Sequence, residues 1–200
     1  MNQPIHLLQN YYAKIVDNPT IFDILKKYRT TVFSDSVDFN RYTVFSDLEK
    51  KQFDEKIQST KAPLRLSYII EQNNNLVGWC TAFQKDVDKW YMHNTAIFEQ
   101  HRKKGLYTAV LQLMLAYAKS EGYQKVTSIH NATNNAIIIP KLKAGFVING
   151  MHINEKFGTM IELSYYVNPQ IKAVVDFRSG HKRLPQSLKN LVNVFEDITS

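Results

Sequence analysis

The sequence has a single cysteine, Cys80, and no Cys-x-x-Cys pair. This excludes a disulfide framework and a cysteine-rich zinc site, and it fits a reducing compartment. The six histidines, His6, His93, His101, His130, His152 and His181, show no paired ligand spacing with one another or with Cys80, so no metal is expected. Long apolar runs are missing too. Residues 1–9 contain no basic segment followed by an apolar one, and the longest nearly apolar stretch, residues 109–118, is too short to cross a bilayer. The expectation is a soluble, cytoplasmic protein without a membrane partner. There is no internal repeat, low-complexity tract, helix-turn-helix, zinc-finger or RNP pattern, which leaves a nucleic-acid-binding role resting on charge alone.

What the chain does have is enough apolar material for one principal domain: 44% of its 200 residues are hydrophobic. The formal charge is +7, so anionic partners are attracted, whether nucleic acid, a membrane surface or a phosphate-rich cofactor. Within the middle of the chain the charge is densest at Arg102, Lys103 and Lys104, immediately before Gly105.

Residues 19–60 read as mostly helical, with Asn18 ahead of Pro19 as a helix start and Ser46 or Asp47 as a second cap. After Pro63 the texture changes. Residues 64–71 and 76–83 are rich in β-branched and aromatic side chains and flank three asparagines, which predicts an antiparallel hairpin. A third strand over residues 89–98 leads into the basic Gly105 turn. Leu106, Val110, Leu113, Met114 and Tyr117 then recur at helical spacing until Gly122. A short buried strand over 125–130, a helix ending at Gly145, and strands over 146–153 and 159–167 follow. The divisions expected are an N-terminal helical part of the same domain over 1–62, a core over 63–167, and a basic extension over 168–200. The extension carries Arg178, Lys182, Arg183 and Lys189 and a helix from Pro185 onward. It reads either as a cover for part of a cleft or as a contact in a homodimer.

A strand that runs into a glycine turn and then a helix leaves the first amides of that helix without intrahelical partners. With the helix dipole and three cations beside them, residues 102–107 suit a pyrophosphate. At this point the chain resembles a known family. Arg102-Lys103-Lys104-Gly105-Leu106-Tyr107, leading into Thr108-Ala109-Val110-Leu111, is similar to the acyl-CoA-binding motif Q/R-x-x-G-x-G/A of the GCN5-related N-acetyltransferases, with Tyr107 in place of the small residue. Asn134-Asn135-Ala136 followed by Lys141-Leu142-Lys143-Ala144-Gly145-Phe146 resembles the family's N-x-A and Y-x-K-x-G-F segment. The resemblance covers residues 63–167.

What the resemblance implies is an α/β (α+β) fold with a splayed mixed sheet of six to seven strands flanked by helices. Acetyl-CoA or another acyl-CoA would be wedged in the splay as cosubstrate, with no metal, and the acyl group would pass directly to a small-molecule or peptide amine. It also implies that the backbone of Ala96, Ile97 and Phe98 bonds the pantetheine, that the Ile97 amide faces the thioester carbonyl, that Arg102, Lys103, Lys104, Gly105, Leu106 and Tyr107 hold the pyrophosphate, and that Asn134 bonds the pantetheine from the other side.

Direct transfer needs a base for the amine and a proton donor for the departing thiolate. His93, on the strand expected to carry the pantetheine, is the leading base. His130 is the second, with Glu71 and Glu99 behind it. Where the family has its donor tyrosine the chain has Lys141, which could serve if burial depresses its pKa. Pro140 beside it requires the helix to kink or start late. Cys80 reads as a packed strand residue. Trp79, Trp90 and Tyr91 read as core residues, with the lining of an acceptor cleft as the other reading. Two alternatives stand beside the transferase: an acyl-CoA-binding sensor or scaffold without turnover, and a basic nucleic-acid-binding domain.

Overall fold

Strand-forming segments joined by short turns and by helices build one eight-stranded sheet. The computed structural model describes residues 3–32 and 40–191. The strands are β1 (Ile5–Leu8), β2 (Tyr11–Val16), β3 (Arg65–Gln72), β4 (Asn75–Asp86), β5 (Lys89–Ile97), β6 (Lys125–Asn131), β7 (Val147–Asn154) and β8 (Gly158–Tyr166). Their spatial order is β1-β2-β3-β4-β5-β6-β8-β7. The helices are α1 (Asn18–Val32), α2 (Asp47–Ser59), α3 (Leu106–Ser120), α4 (Asn135–Lys143) and α5 (Pro169–Arg178). The additional strands are β1 and β2, an N-terminal hairpin that pairs with β3 along the whole of β2.

Caps follow local chemistry. Ser46 caps α2 in a reciprocal capping box with Glu49. At the start of α1 the role expected of Asn18 falls to Asp17, whose carboxylate accepts from the Thr20 amide at 3.0 Å. Pro140 lies inside α4, which still starts at Asn135. The carbonyl that loses its donor is that of Ala136, on an exposed residue where water can replace it. The extension contains α5 and a short 3-10 stretch, Gln186–Leu191; the remainder of the helix expected from Pro185 onward, residues 192–200, lies outside the described residues. No helix among the described residues is long and apolar enough to cross a membrane.

Adjacent strand residues point to opposite faces, and two apolar clusters mark these faces. Cys80, Trp90, Met92, Val126 and Leu163 pack with Val110, Leu111 and Met114 of α3 and Ile138 of α4. Trp79 and Ala96 pack with Ile21 of α1 on the other side. Each large apolar side chain buried this way contributes about 1.5–3 kcal/mol.

One irregularity on β5 matters for the site. Thr81 pairs with Asn94 while the next residue, Ala82, pairs with Met92, so the register skips His93, which is the extra residue of a bulge. This bulge inverts the alternation: Met92 faces α3 whereas Ala96 faces α1. Close to it, β4 approaches β5 so tightly that a Cβ on Gly78 would lie 2.3 Å from the Ala96 carbonyl oxygen. Gly78→Ala is therefore expected to lower stability by about 1–3 kcal/mol, read as a fall of several degrees in the thermal midpoint. An unchanged midpoint would show that the two strands have room to part.

Candidate active site

All strand neighbours are antiparallel except β5 and β6, which run parallel and pair over three rungs only: Lys89 with Lys125, Trp90 with Val126, and Tyr91 with Thr127. Beyond Tyr91 and Thr127 the two strands part, and the sheet opens in a V.

Lys141 occupies the apex of that V. Its Nζ donates to Ser128 Oγ of β6 at 2.7 Å and lies 3.5 Å from Met92 Sδ of β5. Those are the first residues past the last paired rung on each strand. The amine also sits 4.7 Å from the Phe146 ring centroid, and the residue is 1% exposed. It has no carboxylate partner among the described residues. Burial among neutral groups disfavours the ammonium, and its pKa is pushed down to about 7.

Ser128 Oγ is also 3.0 Å from His130 Nε2. With Lys141 donating to the hydroxyl oxygen, the hydroxyl hydrogen is free to go to an unprotonated Nε2. His130 is held neutral: burial, and then the Lys141 charge, push its pKa down to about 3. A group so weakly basic suits a hydrogen-bond acceptor better than a general base. Ser128 is absent from the sequence-predicted set. The only signal for it is a hydroxyl on the apolar-facing register of a buried strand.

The basic turn forms the second part of the site. Glu99–His101 make one 3-10 turn, and Lys103 and Gly105 both take positive φ, 60° and 80°. None of the backbone N–H groups from Lys103 through Thr108 has an acceptor in the protein among the described residues; the helical bonds resume with Ala109 donating to the Gly105 carbonyl. Gly105 leads the helix with no side-chain cap. Consecutive free amides in such a turn, at the positive end of a helix, form an anion cradle. Arg102, Lys103 and Lys104 are exposed beside it, while Leu106 is buried and anchors the helix start. Tyr107 turns its ring into the core under α3, so only its amide faces the turn. The N-terminal hairpin supports the turn: Tyr11 Oη of β2 is 3.1 Å from His101 Nδ1.

Of the three backbone positions expected to bond the pantetheine, only Ile97 is directed away from β4. Phe98 donates to the Val77 carbonyl at 2.9 Å and its own carbonyl accepts from His101. By the two-residue alternation of an antiparallel ladder, Ala96 also bonds β4. The Ile97 carbonyl accepts from Arg102 Nε at 2.9 Å, so Arg102 braces the end of β5 as well as carrying charge. Asn134 is exposed at the start of α4 and makes no side-chain cap.

His93 does not join Lys141. The bulge leaves it exposed on β5, with its ring centroid 5.7 Å from that of Phe83 and 6.2 Å from that of Tyr91. Glu71 is ion-paired with Lys14, and Glu99 is exposed in its turn. Cys80 is fully buried, 3.1 Å from Thr95 Oγ1, and burial pushes its thiol up to about 11. Trp79 and Trp90 are fully buried core residues, and Tyr91 is half-buried. Glu162 of β8, another residue outside the sequence-predicted set, lies opposite Ile129 and 3.3 Å from His152. Its neighbour Leu163 faces α3, so Glu162 faces the α1 side. An acid between Ile161 and Leu163 in a strand was its only trace in the sequence. No cluster of His, Cys, Asp and Glu able to hold a metal ion occurs among the described residues.

Comparison with known proteins identifies the family and the fold. Residues 21–146 match the family model described as Acetyltransferase (GNAT) family. A GNAT family acetyltransferase from Elizabethkingia anophelis, solved with acetyl-CoA bound, superposes with a TM-score of 0.53 at 16% identity, covering 80% of this chain and 99% of that one. A putative acetyltransferase from Salmonella typhimurium, solved with acetyl-CoA, gives 0.57 at 13% identity over 80% and 95% of the two chains. The ribosomal-protein-S5-alanine acetyltransferase from Vibrio fischeri gives 0.61 at 12% identity over 84% and 98%. No curated protein matches. At these identities the solved structures share the fold with this chain.

Proposed function

This chain belongs to the GNAT acetyltransferase family, and from that premise we propose that it moves an acetyl or other acyl group from acyl-CoA directly to an amine, with Lys141 as proton donor to the departing thiolate. The observation that carries the reading is the position of the Lys141 amine, touching both strands where they first separate. The amides from Lys103 through Thr108, with the Lys103 and Lys104 charges, would hold the diphosphate of the cosubstrate. The Ile97 amide would polarise the thioester carbonyl as negative charge grows on its oxygen. Asn134 would bond the pantetheine from the α4 side.

The apex favours proton donation for a physical reason. A lysine with a pKa of about 7 is a stronger acid than an ordinary lysine, and strong enough to protonate a thiolate, whose usual pKa is near 8.5. Ser128 orients the amine, and neutral His130 accepts from Ser128 without adding a competing charge. The acceptor amine would approach from the α1 face, where His93 and Glu162 are the groups able to take its proton. Its identity, small molecule or peptide, is left to an acceptor screen.

The test is calorimetry with acetyl-CoA followed by transfer of labelled acetyl to a panel of amines. Saturable binding with transfer to at least one amine is expected. Binding without transfer or slow thioester hydrolysis would favour the sensor reading. Nucleic acid that outcompetes acetyl-CoA at physiological salt would favour the nucleic-acid reading.

A further inference from the structure

Lys141 is an amine, and the proton donor it replaces in the family pattern is a phenol. The difference matters because a neutral amine is itself an acyl acceptor. Its partners are one hydroxyl, one thioether and one aromatic face, none of which holds the nitrogen as ammonium in the way a carboxylate would. The titratable groups bearing on it from the packed elements are Cys80 of β4 and His130 of β6. His130 is neutral, and Cys80 is protonated at physiological pH. Burial to 1% exposure closes the nitrogen to reagents from bulk solvent. The strands β5 and β6 part immediately beside it, so an acyl-CoA wedged between them would reach it from that side.

Resting on the transferase reading above, we propose that Lys141 is a self-acylation site: when no acceptor amine is bound, its nitrogen takes the acyl group from the acyl-CoA held in the cleft. Neutral Nζ attacks the thioester carbonyl carbon, a C–N bond forms and the C–S bond breaks. The nitrogen loses one proton, which goes to the departing thiolate, giving CoA thiol and an Nζ-acyl-lysine amide. No oxidation state changes and no other reactant is needed. The amide keeps one N–H for Ser128 Oγ but has no proton acidic enough to hand on, so the modified enzyme has lost its donor. Self-acylation thus switches the enzyme off when acyl-CoA is present and acceptor is absent.

Transfer and self-acylation need opposite protonation states of the same nitrogen. With its pKa at about 7, self-acylation is expected to speed up as pH rises from 6 to 8, while proton donation to the thiolate falls.

The experiment is intact-mass spectrometry with peptide mapping on the full-length protein incubated with acetyl-CoA and no acceptor, with acetyl-CoA binding measured on the same sample. The expected result is one acetyl group per chain at Lys141, formed faster at pH 8 than at pH 6 and suppressed in a Lys103→Glu/Lys104→Glu variant. Acetyl phosphate, which labels accessible amines without using the cleft, is expected to modify surface lysines and leave Lys141 unlabelled. Unmodified Lys141 in protein shown to bind acetyl-CoA overturns this inference alone and leaves the transferase reading standing. Labelling of Lys141 by acetyl phosphate as readily as by acetyl-CoA also overturns it. Absence of acetyl-CoA binding overturns both.

Discussion

Lys141→Met is expected to lower acyl transfer by about 10²–10⁴-fold, the usual contribution of a positioned proton donor, and at the same time to make the protein more stable. The lysine is 1% exposed and its pKa falls from 10.5 to about 7 on folding. Between those values the unfolded state binds more protons than the folded one, so stability rises with pH across that window. Below pH 7 both states carry the proton and the cost of burying the ammonium is fully present. At ~1.36 kcal/mol per pKa unit the cost has a ceiling of roughly 5 kcal/mol. Methionine fills a similar volume without a charge, so a gain of about 2–4 kcal/mol is expected at pH 6, shrinking towards pH 10. Thermal denaturation across this pH range, paired with transfer assays, is the check. A variant that is less stable at pH 6 would mean that Lys141 is not a destabilised cation, and one that transfers at the wild-type rate would mean that it is not the donor.

Reversing the charge of both exposed lysines in the basic turn is the second large effect. Lys103→Glu/Lys104→Glu is expected to weaken acetyl-CoA binding by about 100-fold or more, because two attractive contacts with a diphosphate become repulsive beside free amides. The fold should be unaffected: both residues are exposed, and neither has an ion-pair partner among the described residues. Arg102 is left in place because its side chain also holds the Ile97 carbonyl. Binding should weaken further as salt is raised in the wild type, and much less so in the variant. Unchanged affinity would place the diphosphate elsewhere.

Features set by neighbours in the chain were legible in the residues themselves. The cap of α2, read as Ser46 or Asp47 and formed by Ser46, the amphipathic spacing of α3 and the glycine opening it are short-range features. The N-terminal hairpin was not legible. Its strands are short, and Tyr11 and Ala13 are buried only because β3 lies beside β2 and the core under α3 lies below. The bulge at His93 depends on the register between β4 and β5, which no local pattern in β5 discloses. It moves the leading candidate base away from the apex and leaves Phe98 bonded to Val77.

The chemistry of Lys141 shows where the division lies. The sequence by itself determined the order of strands and helices from α1 onward, the cationic turn before Gly105 and the family, because periodicity, turn residues and charge runs act over a few residues; residues 1–17, read with the helical part, form β1 and β2 instead. Tertiary structure alone decided that this lysine is buried, that Ser128 and Met92 meet it from two strands, and that its pKa falls to about 7. Desolvation depends on what packs around a nitrogen from distant parts of the chain, and a helix read alone would leave that nitrogen in water.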